Sequence, residues 1–577
     1  MELVHFTRLR TQAKKLASRA EDRLGFSRGF VVTLMEAYGA DTSLAPVDGV
    51  SHTLAREVAR EIGELMRSAD DDMASYLIST VYTAMLPETY RSQYGIFFTP
   101  PGLTSRLLDQ AEAGGVDWST ARVLDPSCGG GAFLSPIAVR MRRALSGLSV
   151  EARVAHIERH LVGFEIDPFS AWMSQTFVEL VLAEDLINLG RRLKPLVVVR
   201  DSLLSPESDY GTMDLVVGNP PYGKVKLDKQ QRSFWQRSLH GHANLYGLFT
   251  DLAVRLAAPG GVIAYLTPTS FLGGQYFQAL RKLMATQAPP YAVDFIDGRE
   301  GVFEDVLQET MLTCYRKEGS ADPLQTAYLS ILEDGRAVAQ VNGRCSLPRD
   351  GATPWILPRR KEVGVMADSA RSMPYRLSDY GYKVSTGQLV WNRHKDKLFD
   401  EWFLGVVPLV WAECVDPAGS GVFSFKTTRR HAPWFLPGPK DSANLTHTSC
   451  VLLQRTTAVE QRRRLIAGEL PQDFIEKHGG AVAIENHLNM VRPLPGQKPK
   501  VSPAALSRLF NSQAVDDVYR CISGSTAVSA YELQALPLPS PHAIEKLENL
   551  MEERADEAAI ESYIRELYVT VRTSAAA

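Results

Sequence analysis

The most chemically specific pattern in the sequence is an amide, two prolines and an aromatic residue at the end of an apolar segment. Residues 214–218 are predicted to form a buried strand, and Asn219, Pro220, Pro221 and Tyr222 follow directly. Successive prolines cannot donate ladder hydrogen bonds, so the strand must end in a rigid loop. The carbonyl oxygens of the Asn219 side chain and the Pro220 backbone could grip one planar amino group, while Tyr222 offers a ring for stacking. This arrangement would favour attack of an amine nitrogen on an electrophilic methyl group; a simple strand exit capped by Asn219 is the alternative.

A second pattern joins an acid to a glycine turn. Asp125 precedes Cys128, Gly129 and Gly131 within Asp-Pro-Ser-Cys-Gly-Gly-Gly. Glycines allow a close approach to a ligand and a positive φ, and the helix that follows presents unpaired N–H groups. The spacing differs from that of a phosphate loop and of a dinucleotide turn. It predicts a pocket for a zwitterionic amino-acid group, in which the Cys128 thiol packs; a purely structural turn is the alternative.

Acidic residues end the next two predicted strands. Glu165 and Asp167 follow one strand, and Asp201 follows the next. An acid after the strand that follows a glycine turn is the usual partner of ribose hydroxyls, so Glu165 is the first candidate and Asp167 the second. Asp201 could accept a hydrogen bond from an adenine amino group. Each acid alone fits a solvated helix cap better than a ligand site, but their order at successive strand ends leading to Asn219 indicates one binding cleft.

Thr99 stands just before Pro100 and Pro101 at a predicted helix start. Thr before Pro at this position is ordinary capping chemistry. The functional interpretation is that Thr99 closes over a bound cofactor.

The elements that must position these residues alternate between short apolar runs and amphipathic helices from about residue 94. That alternation predicts an α/β fold with one mostly parallel, doubly wound sheet. The seven candidate strands are residues 122–124, 161–165, 197–200, 214–218, 262–266, 292–296 and 310–316.

Three regions are expected along the chain. Residues 1–90 predict a helical region, because apolar side chains recur four apart over residues 53–66. Residues 91–345 predict the catalytic domain, with a hairpin near its end over residues 328–341. Residues 346–577 predict an α+β domain that ends in a helical segment.

In order and residue type, these patterns resemble the gamma-type S-adenosylmethionine-dependent N6-adenine DNA methyltransferases, the Asn-Pro-Pro-Tyr family of restriction-modification systems. The resemblance covers residues 94–316. It implies a Rossmann-like, seven-stranded methyltransferase sheet followed by a target-recognition domain. It assigns Asn219, Pro220, Pro221 and Tyr222 to catalysis. It implies that S-adenosylmethionine is held by Thr99, Asp125, Cys128, Gly129, Gly131, Glu165, Asp167 and Asp201.

The resemblance also implies a direct methyl transfer to an adenine flipped out of the duplex, with no cysteine nucleophile. Phe303 would contact the second face of the flipped base. The sequence departs from some family members at Ser202, where they have an aromatic residue that stacks on the cofactor adenine. Ile166, Pro220 or Pro221 would have to cover that face instead.

The overall charge does not itself suggest a nucleic-acid partner, because 63 Lys and Arg oppose 66 Asp and Glu for a net charge of −3. Locally, residues 421–470 hold eight Lys and Arg against three acids. A solvated basic face is the alternative to a DNA contact surface. The residues expected to contact double-stranded DNA are Lys224, after the catalytic loop, and Arg429, Arg430 and Arg455, in the basic stretch.

Several other features limit the class of protein. The six cysteines are scattered without zinc spacing, so no metal site is expected, and no apolar run is long enough to cross a membrane. We expect a cytoplasmic bacterial protein that associates with the nucleoid when it acts on DNA. A cognate restriction endonuclease, encoded by a separate gene, is a possible partner. The competing interpretations are a modification subunit that needs a separate specificity subunit, and a protein-glutamine methyltransferase, because a glutamine amide presents the same planar amino group.

Overall fold

The computed structural model describes residues 3–94, 99–296, 309–320, 323–332, 336–416, 418–419, 421–428, 430–457, 461–525 and 527–569. The chain forms two compact units. Unit 1 comprises Met1–Pro268 and Tyr276–Gly351, and unit 2 comprises Thr269–Gln275 and Ala352–Ala577. The division near residue 351 lies close to the domain boundary expected after residue 345, and a short segment after Pro268 joins unit 2.

Unit 1 begins with a helical bundle. Its helices are α1 Leu3–Ala17, α2 Arg23–Tyr38, α3 Thr53–Met66, α4 Asp71–Met85 and α5 Glu88–Tyr94. The fourfold spacing in α3 places Val58, Ile62 and Met66 in the core, while Leu54 is 43% exposed at the helix start. The bundle also packs against α9 Pro168–Val181, because Phe169, Trp172 and other side chains of that helix belong to the same buried cluster.

The remaining elements of unit 1 alternate strands and helices, numbered along the chain. Its other helices are α6 Pro101–Ala113, α7 Leu134–Ala144, α8 Val150–His160, α10 Ala183–Leu189, α11 Lys229–Phe234, α12 Leu245–Leu256 and α14 Gln278–Gln287. Its strands are β1 Val123–Asp125, β2 Leu161–Glu165, β3 Val197–Val199, β4 Met213–Gly218, β5 Lys224–Val225, β6 Ala243–Asn244, β7 Ala257–Pro268, β8 Pro290–Ile296, β9 Thr310–Arg316, β10 Leu324–Ile331 and β11 Ala337–Cys345.

One mostly parallel sheet organises unit 1, as the sequence predicts. Among the described residues it has nine strands, in the order β11-β10-β8-β9-β7-β4-β1-β2-β3. Each of the seven predicted strands overlaps a strand of this sheet, and the β10–β11 hairpin brings the total to nine. The β10–β11 hairpin, predicted as a hairpin from its turn residues, extends the sheet because β10 pairs with β8 in parallel. Its Leu324, Ala327 and Leu329 side chains are buried.

The strand order explains how distant segments meet. β4, β1, β2 and β3 are consecutive neighbours and run parallel to one another. Their carboxyl ends therefore lie side by side at one edge of the sheet, where open α/β folds bind ligands. Leu215, Val216 and Val217 of β4 are fully buried, as expected for a central strand covered on both faces.

Unit 2 is a mixed α and β structure, as expected for the C-terminal region. Its sheets have the strand orders β12-β20-β17-β18 and β13-β15-β14-β19-β16. The strands are β12 Tyr382–Thr386, β13 Leu398–Phe399, β14 Val407–Val410, β15 Trp434–Phe435, β16 Leu445–Thr446, β17 Cys450–Gln454, β18 Ala467–Leu470, β19 Val482–Ile484 and β20 Leu488–Pro493. The helices are α13 Ser270–Gly273, α15 Gly364–Ser372, α16 Gln472–Lys477, α17 Pro503–Phe510, α18 Gln513–Arg520, α19 Ala530–Gln534, α20 Pro541–Glu552 and α21 Glu557–Val569.

Three further properties concern both units. All six cysteines are buried free thiols. Within the described ranges, no helix has the length and apolar character needed to cross a bilayer, and no group of three or more His, Cys, Asp or Glu side chains could hold a metal ion.

Candidate active site

A cavity of about 910 Å³ lies in unit 1 where the parallel strands end. Most of the residues predicted from the sequence line it, including those from β1, β2, β4 and the loop after β3. They are Thr99, Asp125, Cys128, Gly129, Glu165, Asp201, Asn219 and Pro221. Gly131, Asp167, Pro220 and Tyr222 lie outside this lining.

The Asn219 amide is held on both sides. Its Nδ2 donates to Thr99 Oγ1 at 3.3 Å, and the Tyr222 hydroxyl donates to its Oδ1 at 2.8 Å. The same hydroxyl lies 3.3 Å from the Leu266 carbonyl oxygen. Burial raises the pKa of Tyr222 well above its ordinary value, so the hydroxyl keeps its proton and remains a donor. The contacts fix the amide orientation and leave Oδ1 a second lone pair.

The contact between the Tyr222 hydroxyl and Asn219 was missed by the sequence analysis, which considered only the ring. The ring is edge-on to Tyr246, with centroids 6.1 Å apart and planes at 81°. Tyr222 can therefore orient the amide through its oxygen independently of any stacking by its face.

Asp125 is the most deeply buried acid of the cavity, with 1% exposure. Its Oδ1 accepts from the Ser127 backbone N–H at 3.0 Å, whereas its buried Oδ2 has no hydrogen-bond partner among the residues that the structure describes. Burial raises the pKa of Asp125 to about 8, and the neighbouring Glu165 charge acts in the same direction. An unpartnered carboxylate oxygen at this depth fits a cationic ligand group such as an ammonium.

Gly218 allows β4 to pass close to this carboxylate. A Cβ at Gly218 would stand 2.6 Å from Asp125 Oδ1 and 3.2 Å from its Cγ. The strand that carries Asn219 can therefore approach the strand that carries Asp125 only with glycine at this position.

Glu165 closes the glycine turn. Its Oε2 accepts from the Gly129 N–H at 2.9 Å, and its Oε1 accepts from the N–H groups of Ile166 and Asp167, each at 2.9 Å. Burial raises the pKa of Glu165, although these backbone hydrogen bonds oppose the shift. The carboxylate thus joins the ends of β1 and β2 within the cavity.

The glycine turn itself has the backbone that the sequence predicts. Gly129 has φ +51° and Gly131 has φ +85°, both in the left-handed region. A Cβ at Gly131 would also lie 2.9 Å from Ser174 Oγ. Burial raises the pKa of the Cys128 thiol well above its ordinary value, so Cys128 packs as a neutral group rather than acting as a nucleophile.

Asp167 has a different place from the one expected for a ribose ligand. Its Oδ2 caps α9 by accepting from the Ser170 N–H and hydroxyl, at 3.1 and 2.9 Å. Its Oδ1 accepts from Arg28 Nη2 at 2.7 Å and from the Tyr90 hydroxyl at 3.1 Å. Both carboxylate oxygens are thus engaged within the protein, and Asp167 is a structural neighbour of Glu165.

The loop after β3 has Ser202 at the position where some members of the resembling family have an aromatic residue. The Ser202 hydroxyl donates to the Pro126 carbonyl oxygen at 2.5 Å and ties this loop to the glycine turn. Asp201 lines the cavity, and its Oδ1 accepts from the Leu203 N–H at 2.9 Å. Of the residues expected to cover a cofactor adenine, Ile166 and Pro221 line the cavity.

Further lining residues come from segments that the motifs did not single out. They are supplied by the loop after Asp201, by α12 and by the segment from β5 through α11, and include Leu203, Leu204, Val225, Leu227, Phe234, Trp235, Leu245 and Phe249. The signal available in the sequence was the presence of large apolar side chains within the charged stretch after Tyr222.

The residues expected to contact DNA differ in their exposure to solvent. Lys224 and Arg430 are exposed, whereas Arg455 is half-buried and donates to the Asn486 carbonyl oxygen at 3.1 Å. Phe303 and Arg429 lie outside the described residues.

The basic stretch of unit 2 is not one continuous face. Arg464 is fully buried, and its guanidinium donates to Thr457 Oγ1 at 3.2 Å and to the Ser525 carbonyl oxygen at 2.5 Å. Burial lowers the pKa of Arg464. Arg464, one of the eight basic residues counted in residues 421–470, therefore cannot belong to a solvent-facing surface that contacts DNA.

Comparisons with known proteins find similar sequences and a similar fold. Residues 163–303 match the Eco57I restriction-modification methylase family. The chain is 24% identical over 519 residues to the type II methyltransferase M.BsuBI of Bacillus subtilis, covering 84% of this chain and 96% of that protein. It is 26% identical over 337 residues to the type II methyltransferase M.PstI of Providencia stuartii, covering 57% of this chain and 66% of that protein.

A solved structure shows the same fold. The type IIL restriction-modification enzyme MmeI, solved in complex with DNA, superposes with a TM-score of 0.55 at 12% identity, covering 98% of this chain and 94% of that one. The chain is thus similar in sequence to type II methyltransferases of restriction-modification systems, and it shares the fold of a restriction-modification enzyme.

Proposed function

We propose that the protein is a DNA methyltransferase of a restriction-modification system that methylates N6 of an adenine flipped out of double-stranded DNA. The observation that carries this proposal is the position of the Asn219 amide just after the carboxyl end of β4. The amide is hydrogen-bonded to Thr99 and Tyr222, and Asn219 lines the same cavity as Asp125. The relatives named as type II methyltransferases support the general activity. The Asn-Pro-Pro-Tyr sequence supports adenine as the target.

The residues of the cavity fit S-adenosylmethionine as cofactor. The unpartnered Oδ2 of Asp125 would accept from its ammonium group, and the glycine turn leaves room for its amino-acid end. Asp201 and the apolar side chains of Ile166 and Pro221 would hold its adenosine end. When bound, the cofactor supplies an electrophilic methyl group on a sulfonium.

The chain's own part in the reaction is to orient and activate the amine. The lone pair of an adenine amino nitrogen is delocalised into the ring and is a poor nucleophile. The second lone pair of Asn219 Oδ1 and the Pro220 carbonyl would accept its two N–H bonds and increase electron density on nitrogen. The Tyr222 hydroxyl prevents the amide from rotating out of this orientation.

The test is modification mapping of DNA from cells that express the chain. Single-molecule sequencing should detect N6-methyladenine at one short motif with the wild-type chain and none with Asn219→Ala. Asn549→Ala, an exposed asparagine on α20, is the matched control and should methylate like the wild type. Methylation by Asn219→Ala, or none by the wild type, would refute the assignment; methylcytosine at the motif would refute the adenine target.

A second experiment tests whether the chain acts alone. We propose that unit 2 supplies target recognition, so the purified chain should methylate duplex DNA without another protein. Turnover only after addition of a separate specificity subunit would instead identify it as a modification subunit. A cognate endonuclease would be a separately encoded partner of this proposed system.

A further inference from the structure

We propose that Arg28 and Tyr90, from the N-terminal helical bundle, are positioning residues that set the cofactor loop through Asp167. This inference rests on the proposed function, since it concerns the affinity for S-adenosylmethionine. It gives the N-terminal bundle a role in cofactor binding.

The contact at the centre of the proposal is a buried ion pair with a shared hydroxyl. Arg28 Nη2 lies 2.7 Å from Asp167 Oδ1, and the side chains are 22% and 2% exposed. Arg28 Nη2 also donates to the Tyr90 hydroxyl oxygen at 2.9 Å, and that hydroxyl donates to Asp167 Oδ1 at 3.1 Å. The three groups therefore form a closed triangle in which a carboxylate oxygen accepts from both partners. Charge-assisted hydrogen bonds of this kind are short and directional.

Two hydrogen bonds connect this triangle to the glycine turn. The Asp167 N–H donates to Glu165 Oε1 at 2.9 Å, and the other oxygen, Oε2, accepts from the Gly129 N–H at 2.9 Å. A shift of the Asp167 backbone would therefore move the Glu165 carboxylate and release the N–H of the turn. The path from Arg28 to the cavity lining is a continuous series of contacts, and Glu165 itself lines the cavity.

The position of the N-terminal end of α9 depends on its packing against the N-terminal helical bundle. Asp167 caps α9, and Phe169, directly after the first residue of that helix, is 1% exposed within the bundle's own core cluster. The Arg28 guanidinium carbon also lies 5.5 Å from the Phe169 ring centroid. Loss of the ion pair would leave a buried carboxylate without its counter-charge at this junction, and such a group rearranges to reach water.

The chain offers a matched control at the other end of α9. Arg192 bonds Glu179 of α9 at 2.6 Å and Asp41 of the N-terminal region at 3.0 Å, and its side chain is 32% exposed. It joins the same two parts of unit 1 as Arg28 does, but near the helix end remote from Glu165. A general stabilising role of the bundle would make both substitutions equivalent, whereas a positioning role distinguishes them.

The experiment measures the dissociation constant of S-adenosylmethionine and of S-adenosylhomocysteine by calorimetry on the purified full-length protein, together with kcat at saturating cofactor. Arg28→Ala should raise both dissociation constants about tenfold, the loss expected for a disrupted charge-assisted contact, and leave kcat within about twofold. Tyr90→Phe should raise them about threefold, since it removes the hydroxyl that bonds both Arg28 and Asp167 but keeps the ion pair between them. Arg28→Lys should recover most of the affinity, and Arg192→Ala should leave it unchanged.

Two results would overturn the inference: wild-type affinity in Arg28→Ala, or equal losses in Arg28→Ala and Arg192→Ala. Failure of the wild-type chain to bind either compound would contradict both the proposed function and the positioning role of Arg28 and Tyr90. Tight binding by the wild type together with unaltered affinity in Arg28→Ala would contradict only the positioning role and would leave the proposed function intact.

Discussion

Tyr222→Phe separates the two contributions that one aromatic residue can make to this site. The substitution removes the hydroxyl that donates to Asn219 Oδ1 at 2.8 Å and keeps the ring. Without that donor, the one hydrogen bond left to the amide within the described part of the chain is the 3.3 Å contact from Asn219 Nδ2 to Thr99 Oγ1. The amide would then sample orientations in which its nitrogen, and not its oxygen, faces the target amine.

The size of the effect follows from one neutral hydrogen bond in a buried setting. Such a bond contributes about 1 kcal/mol net, which corresponds to about a fivefold change in rate if it acts only on the reactive orientation. We therefore expect kcat to fall about fivefold and the DNA dissociation constant to stay unchanged. Tyr222→Ala also removes the ring, and stacking on a base is worth about 1–3 kcal/mol, so DNA binding should weaken as well.

The assay measures kcat from multiple-turnover methylation of a short duplex with saturating cofactor and DNA, and it is paired with DNA binding by fluorescence anisotropy. Tyr291→Phe is the control, because its hydroxyl donates to the Gln110 carbonyl oxygen at 3.0 Å, away from the cavity lining. A kcat for Tyr222→Phe equal to that of the wild type would refute an orienting role for the hydroxyl. An equal loss in Tyr291→Phe would show that the effect is general.

Two further predictions concern pH and charge. The folded pKa of Asp125, about 8, lies above the ordinary value, so the ligand-free folded protein retains a proton that the unfolded chain releases between about pH 4 and pH 8. The free energy of unfolding from urea titrations should fall as pH rises through that window, and Asp125→Asn should flatten the decline; identical slopes would contradict the assignment. Arg464→Ala should destabilise the protein by about 3 kcal/mol or more in the same titrations, because it removes a fully buried side chain and leaves its partners unpaired. Arg430→Ala should leave stability intact and reduce the salt dependence of DNA binding by about one unit of slope, and the opposite pattern in these two variants would refute the distinction between buried and exposed arginines.

The site could be predicted from the sequence where its residues follow parallel strands. Asp125, Glu165 and Asn219 each stand at or directly after an apolar run, and the carboxyl ends of neighbouring parallel strands meet at one edge. That single geometric rule brings together three residues that are far apart in the chain. The glycine turn was equally readable, because a left-handed backbone at Gly129 and Gly131 needs glycine.

Contacts between distant secondary-structure elements could not be predicted from the sequence in the same way. Arg28 and Asp167 are 139 residues apart, and neither occupies a periodic position that would reveal its partner. Arg464 stands in a run of three arginines that reads as a solvated face, yet it precedes β18 and is enclosed by Thr457 and Ser525. The β10–β11 hairpin was recognisable from its turn, but the strand with which it pairs is a property of the whole sheet.

The close approach of Gly218 to Asp125 has a consequence for sequence variation. Because a Cβ added at residue 218 would stand only 2.6 Å from the carboxylate oxygen, the two positions cannot vary independently. A larger residue at 218 becomes acceptable only after residue 125 has been shortened, so the order in which substitutions accumulate matters. In a library that randomises both positions, we expect the allowed pairs to be few and strongly coupled.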